Sequence, residues 1–326
     1  MSSIVESQAK ELADFDPEAL WGDGEVFVNH PRVRLARLGD RRLTVHRHGD
    51  DAPSGLGVLM ADPGLAAVAG LRFAGRGIHV MDFVEGDPLD SVVPDAAIAE
   101  LMAQTMVALW RRPSGGLPGA RRERPVVGPI TQGQYVGMPD AVLASAYEHE
   151  PVVAAILRGL DQRELGLAVI HGDLKADNVI RTDDGGLRLI DWECCGAGHP
   201  EDDVASLLAS MCVFGLGRAV RNALVQAEGQ SLAEHCAQEL KKIRTFSNVL
   251  LEQLRREAPE VSTEQLGAAF LVSILCRLQG MLFVPSSEAL KLTTSEFVRR
   301  SMQHGPEAVC AWLRGDEGAT DRGTQR

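Results

Sequence analysis

The stretch from Val169 to Asp203, VIHGDLKADNVIRTDDGGLRLIDWECCGAGHPEDD, limits the possible folds more than any other part of the chain. Val169-Ile170 and Val179-Ile180 are short β-branched runs of strand character. Between them lie His171, Asp173, Lys175 and Asn178. Gly172 permits a tight turn after the first run. Asp183-Asp184-Gly185-Gly186 reads as a hairpin turn, because glycines accept positive φ, and Leu187 to Ile190 then returns with Asp191 at its end. Two carboxylates and a carboxamide should therefore converge at the rim of a small sheet.

That set suits transfer of a phosphoryl group. The loose transition state needs aligned oxygens, neutralised charge and excluded water more than covalent help from the protein. Asp173 would orient an acceptor hydroxyl and take its proton. Asn178 and Asp191 would hold Mg²⁺ against nucleotide phosphates through hard oxygen ligands.

HGDLKADN followed by IDWE resembles the catalytic and metal-binding loops of the aminoglycoside-phosphotransferase family, within the protein-kinase-like superfamily. His171, Asp173 and Asn178 match H-x-D-x-x-x-x-N, and Asp191 matches the metal-binding Asp that protein kinases carry in DFG. Asp203, in DDVASLL, matches a following Asp that braces the catalytic loop. The resemblance implies an α+β, bilobal protein-kinase-like fold with a small antiparallel β N-terminal lobe and a mainly α-helical C-terminal lobe. It also implies ATP and Mg²⁺ as cofactors. The expected division is residues 1–85 as the nucleotide-covering lobe, 86–315 as the catalytic and acceptor-binding lobe, and 316–326 as a disordered tail. His171 is expected to orient the loop rather than to act as a base.

Composition agrees with a globular enzyme. The chain has 326 residues, 45% hydrophobic and 24% charged, with 33 Lys and Arg against 45 Asp and Glu. The resulting net charge of −12 argues against a nucleic-acid footprint. No secretory signal or apolar run long enough to span a bilayer is recognised. The six cysteines fall mostly in apolar helical patterns, which reads as reduced core thiols in a cytoplasmic protein. Cys194, Cys195 and His199 converge poorly on one tetrahedral ion.

Taken in order, Glu11 to Trp21 is a short amphipathic stretch broken by Pro17. Val26 to Val28, Val33 to Leu38, Leu43 to Arg47, Leu71 to Phe73 and Ile78 to Phe83 alternate like strands. Met81 to Leu89 resembles the family's hinge, in which the backbone of Asp82, Phe83 and Val84 pairs with adenine. A helix is expected from Asp95 to Arg111, a long basic loop from Arg112 to Pro139, and a second helix from Asp140 to Leu160. Beyond Asp203 the pattern is helical, with Ser262 to Gln265 as a capping box opening Leu266 to Met281, and a last helix from Pro306 to Leu313.

The N-terminal part departs most from the family pattern. It has no G-x-G-x-x-G loop, so backbone amides of another turn, Asn29 to Arg32 or Leu38 to Arg41, would cover the phosphates. The strand lysine is also missing, since Lys10 is the only lysine before Lys175. Arg47, His46 and His48 are the candidates to replace it. Arg47 is preferred because its fork can bind phosphate oxygens in two places. No Glu between Asp50 and Val84 is available to pair with it, and Asp62 is the nearest substitute.

Lys175, two residues after Asp173, matches the lysine that Ser/Thr protein kinases use to neutralise the γ-phosphate. Three functions follow from the residues and the resemblance. The first is an ATP- and Mg²⁺-dependent O-phosphotransferase for a hydroxyl-bearing small molecule, aminoglycoside-like or another cationic metabolite. The second is a Ser/Thr kinase acting on a precursor peptide with a partner lyase, as in the class V lanthipeptide and thioamitide branch. The third is a pseudokinase binding module.

Overall fold

Alternating apolar and polar residues between Glu25 and Asp82 fold into a five-stranded antiparallel sheet in a computed structural model of the chain. The structure describes residues 16–27, 30–48, 54–75, 77–114, 117–120, 150–163, 168–225, 230–283 and 287–316. The strands are β1 (Glu25–Phe27), β2 (His30–Leu38), β3 (Arg41–Arg47), β4 (Leu71–Gly75) and β5 (Ile78–Asp82), in the order β1-β2-β3-β5-β4. Successive side chains of a strand point to opposite faces, so each face collects its own set of residues. One face carries Ala36, Leu43, Val45, Ile78 and Val80, packed against Leu20 and Trp21 of helix α1 (Pro17–Asp23). On the other face Met81 joins the main core with residues of α2 (Ser54–Ala61) and α3 (Pro63–Ala69).

Below the sheet, the chain passes from Asp82 to β6 (Asp87–Pro88), which pairs with β8 (Val179–Arg181). β8 continues through the Thr182 to Gly186 turn into β9 (Leu187–Leu189), the hairpin expected from the two glycines. β7 (Ala168–Ile170) pairs antiparallel with β10 (Gly196–Gly198). The chain between β7 and β8 thus leaves one small sheet and enters another.

The helices supply the rest. They are α4 (Ala96–Trp110), α5 (Glu150–Asp161), α6 (Pro200–Val225), α7 (Leu232–Glu257), α8 (Thr263–Phe283) and α9 (Glu288–Leu313). Helix α4 forms where a helix is expected, and Asp95 caps it, accepting from the Ile98 amide at 2.8 Å. Ser262 caps α8, accepting from Gln265 at 3.3 Å. The reciprocal bond of the expected capping box is absent, because the Ser262 amide donates to Glu201 and the Gln265 side-chain carbonyl oxygen accepts from Arg163. The complete capping box is Ser231 with Glu234, at the start of α7. The expected helix from Pro306 is the end of a longer element. α9 begins at Glu288 and kinks at Gly305 (φ 80°), where Pro306 interrupts the backbone ladder.

α6 lies at the centre, packed against α7, α8 and α9. It corrects one expectation from the sequence, because by length and composition it could cross a membrane, with mean hydropathy 1.5 over its best window. That window is 83% buried inside the protein. Its apolar residues are used as core, each fully buried Leu contributing about 1.5–3 kcal/mol. The basic stretch after Leu117 to Ala120, and Asp140 to His149 of the second expected helix, lie outside the described residues, as do Asn29 and the chain beyond Asp316.

Candidate active site

One face of α6 holds the loop that follows β7. Asp203 is buried and accepts hydrogen bonds from the amides of His171 and Gly172, both at 2.9 Å, and from Trp110 Nε1 at 3.3 Å. Burial raises the Asp203 carboxyl above the ordinary carboxylate range, opposed by the His171 ring and by these donors. Ser210, two turns along, accepts from the Ala176 amide at 2.8 Å. Ser206, between them, accepts from Arg277 Nη2 at 2.8 Å. Positions 203, 206 and 210 share a helix face, so α6 serves as a template for the loop.

Within the loop, Asn178 Nδ2 donates to the Asp173 carbonyl at 2.9 Å. The amide's oxygen meets no protein donor among the described residues. His171 Nε2 donates to the Ile190 carbonyl at 2.8 Å, which fixes the ring's tautomer and ties the loop to the strand end before Asp191. The His171 ring also lies 4.8 Å from that of Trp192. The Ile190 amide donates to the Asn178 carbonyl at 2.9 Å, so Asn178 and Asp191 leave adjacent strand ends. Gly172 has φ 83°, and a Cβ there would come within 2.3 Å of the Cys194 carbonyl. Asp173, Asn178 and Asp191 are therefore brought together.

Asp173 has both oxygens engaged. Oδ1 accepts from Arg277 Nη2 at 3.0 Å, and Oδ2 faces Lys175 Nζ at 3.0 Å. Burial works against the Lys175 ammonium, but the carboxylates of Asp173 and Asp177 outweigh it and raise its pKa. Asp191 sits in the left-handed region (φ 62°, ψ 59°), and no protein group hydrogen-bonds its carboxylate among the described residues. Two oxygen donors without protein partners suit a hard cation completed by phosphate oxygens. No cluster of three His, Cys, Asp or Glu able to hold a metal exists among the described residues. The Cys195 thiol is pushed up to about 12 by burial.

The strand cation is placed differently from the sequence expectation. Arg47 lies on the face of β3 that carries Leu43 and Val45. There it pairs with Glu18 and stacks 4.8 Å over Trp21. The correction follows from strand alternation, because Arg47 shares parity with buried apolar residues and so faces α1. His46 and His48 lie on the opposite face, the one that Met81 shares with α2. There they form a stack with His79 of β5, with ring centroids 4.3 Å (His46) and 4.6 Å (His48) from the His79 ring. His48 Nε2 and His79 Nδ1 share a 2.5 Å hydrogen bond. Asp62 does not pair with a strand cation; its carboxylate caps α3, accepting from Gly64 and Leu65.

In the hinge, the Asp82 amide donates to Gly70 and the Phe83 amide to Arg42. Arg72 holds the Asp82 side chain through two hydrogen bonds, and Arg42 lies 4.1 Å over the Phe83 ring. Val84 is left as the hinge amide with no protein acceptor among the described residues. α2 closes the back of the site, where Gly55 packs so tightly that an added Cβ would lie 2.0 Å from the Trp192 carbonyl.

The sequence profile of the phosphotransferase enzyme family, abbreviated APH, matches residues 35–240, more than half of the chain. The chain belongs to this family. As a phosphotransferase it is a kinase-type enzyme built on the protein-kinase-like fold. No curated protein matches it. Among solved structures, an amicoumacin kinase in complex with AMP-PNP, Ca²⁺ and Ami is 11% identical, with TM-score 0.50, over 93% of this chain and 96% of that one. A choline kinase from Streptococcus pneumoniae is 12% identical over 92% and 98% of the two chains, with TM-score 0.47. An aminoglycoside phosphotransferase from Streptomyces rimosus is 20% identical over 73% of this chain and 95% of that one, with TM-score 0.39. Among these, the amicoumacin kinase likeness bears on the fold alone.

Three residues that hold the loop, Ser206, Ser210 and Arg277, were missed in the sequence. Ser206 and Ser210 stand three and seven residues after Asp203, which is a readable helical spacing. Arg277 is the only charged residue between Leu266 and Met281. A lone charge in an apolar helix needs a buried partner, and that was the available signal.

Proposed function

We propose that the protein transfers the γ-phosphate of ATP, with Mg²⁺, to a hydroxyl of a small polar molecule. The observation that carries this is the joining of Asp173 and Asn178 by a 2.9 Å hydrogen bond beside the strand end that bears Asp191. Asp173 orients the acceptor hydroxyl and takes its proton through a carboxylate oxygen. Lys175 supplies a point charge on a flexible stem for the γ-phosphate, with His171 fixing the loop. Asn178 Oδ1 and the Asp191 carboxylate would hold Mg²⁺, which when bound neutralises phosphate charge. The Val84 amide is the group suited to adenine, with Asp82 and Phe83 shaping the hinge around it. In this reading residues 1–85 cover the nucleotide and 86–315 carry catalysis. In the proposed cytoplasmic setting the six cysteines would stay reduced.

A second reading rests on the 3.0 Å contact between Lys175 and Asp173, which suits a Ser or Thr hydroxyl of a precursor peptide handed to a partner lyase. One experiment addresses both. The protein is incubated with Mg-ATP and either a panel of aminoglycosides and amino alcohols or Ser/Thr peptides, and mass spectrometry reads the added phosphate. Asp173→Ala is expected to lower transfer about 10³-fold while ATP still binds. Asp191→Ala should abolish metal-dependent nucleotide binding. Undiminished transfer by Asp173→Ala removes the base assignment.

A further inference from the structure

The two cations that hold Asp173 are not equivalent. Arg277 arrives from α8, 104 positions away in sequence, and the nitrogen that contacts Oδ1 also bonds Ser206 Oγ at 2.8 Å. Its side chain is 14% exposed, wedged between α6 and the loop. Lys175 belongs to the loop itself and is 23% exposed. Its ammonium makes a contact to Oδ2 that a four-carbon stem can release.

The geometry points to Arg277 as a positioning residue. It anchors Asp173 through Oδ1 and so turns Oδ2, the oxygen within reach of Lys175, toward the acceptor hydroxyl. The inference rests on Asp173 being the base of the proposed function. A carboxylate rotates within a broad, nearly two-fold torsional well, so a free side chain presents either oxygen. An anchor on one oxygen removes that freedom. The guanidinium stays charged, and its Nη2 is shared between Asp173 Oδ1 and Ser206 Oγ, so the anchor is held from α6 as well as from the loop. Lys175 can instead exchange Oδ2 for a phosphate oxygen and uncover it. The acceptor oxygen then bonds to phosphorus as its proton passes to Oδ2, and the bond to the departing ADP oxygen breaks.

Intrinsic hydrolysis of Mg-ATP, with water as the acceptor, gives a test that needs no identified substrate. Arg277→Gln is expected to lower kcat about tenfold or more while the KM for Mg-ATP stays within about twofold. Arg277→Lys should recover part of the loss, and Ser206→Ala should show a smaller one. In an Asp173→Asn background the same Arg277→Gln change should alter the rate by less than about twofold, because the arginine acts through the carboxylate. An unchanged kcat, a rise confined to KM, or an equal loss in the Asp173→Asn background would overturn the proposal. Parental turnover by Asp173→Asn alone would remove the base, and Arg277's role with it.

A second measurement needs no turnover. Carbodiimide should join Lys175 Nζ to Asp173 with loss of water in the parent and in Arg277→Lys, and several-fold less in Arg277→Gln. An equal yield in Arg277→Gln overturns the proposal.

Discussion

The loop from His171 to Asp191 and the sheet from Glu25 to Asp82 keep their shapes by different means. In the loop, Asp203, Ser210, Asn178 and His171 each complete a hydrogen bond to the backbone or side chains around Asp173. In the sheet, a cluster of five buried apolar residues and helix α1 hold one face. The opposite face carries the stacked imidazoles of His46, His48 and His79. Carboxylate and amide oxygens that perform chemistry must be fixed to fractions of an ångström, and only directional bonds do that. A surface lying over a nucleotide needs shape and a free backbone amide, which many side chains can provide. The loop carries H-x-D-x-x-x-x-N, whereas the stretch that forms the sheet has no G-x-G-x-x-G and no lysine.

Removing the central brace tests the contrast most severely. Asp203→Ala leaves two buried amides without acceptors and is expected to lower unfolding free energy by about 2–5 kcal/mol in denaturant titrations. A loss below about 1 kcal/mol would mean that packing alone holds the loop.

The imidazole stack gives a medium effect with a defined sign. Burial, and then the neighbouring His46 and His48, hold His79 neutral in the folded protein, lowering its pKa from the ordinary 6.5 to about 2. Burial, and then Arg32, lower His48 as well. The unfolded chain therefore binds more protons between those values, and stability falls as pH drops below 6.5, by up to about 1.4 kcal/mol per pH unit from His79. His79→Gln should flatten the decline measured between about pH 7 and 5. An unchanged slope would show that the stack titrates in the folded state.

Arg47→Ala gives the smallest effect. Its pair with Glu18 is exposed, so stability should change by less than about 1 kcal/mol, and Mg-ATP affinity should stay within about twofold. A tenfold loss of affinity would return Arg47 to the phosphates and blur the distinction between the two faces of β3.

Much of this was legible in the sequence where local chemistry dictates local shape. The glycines after Asp184, the β-branched runs beside the loop and the cap at Ser262 formed the expected elements. The five strands were readable from alternation. The same alternation assigned Arg47 to the face of Leu43 and Val45, a signal outweighed by the attraction of a cation for phosphate. The lone charge of Arg277 was readable, but its partner was not, for another reason. A contact across 104 residues is decided by how α8 lies on α6, and nothing near Arg277 in the chain specifies that. The sequence sets no end to the helix after Asp203, because an apolar helix surrounded by other helices, as α6 is over its 26 residues, has little periodicity to reveal its length.

Asp191 is the only residue other than glycine with positive φ among the described residues. Side chains other than Asn, Asp and Gly cost roughly 1–2 kcal/mol in that conformation. A saturation scan at this codon would therefore register two separate intolerances, one conformational and one chemical. Gly relieves the first without restoring the second, and Asn nearly preserves the outline while removing the charge. Comparing those two variants would tell whether the backbone kink or the anion matters more to fitness.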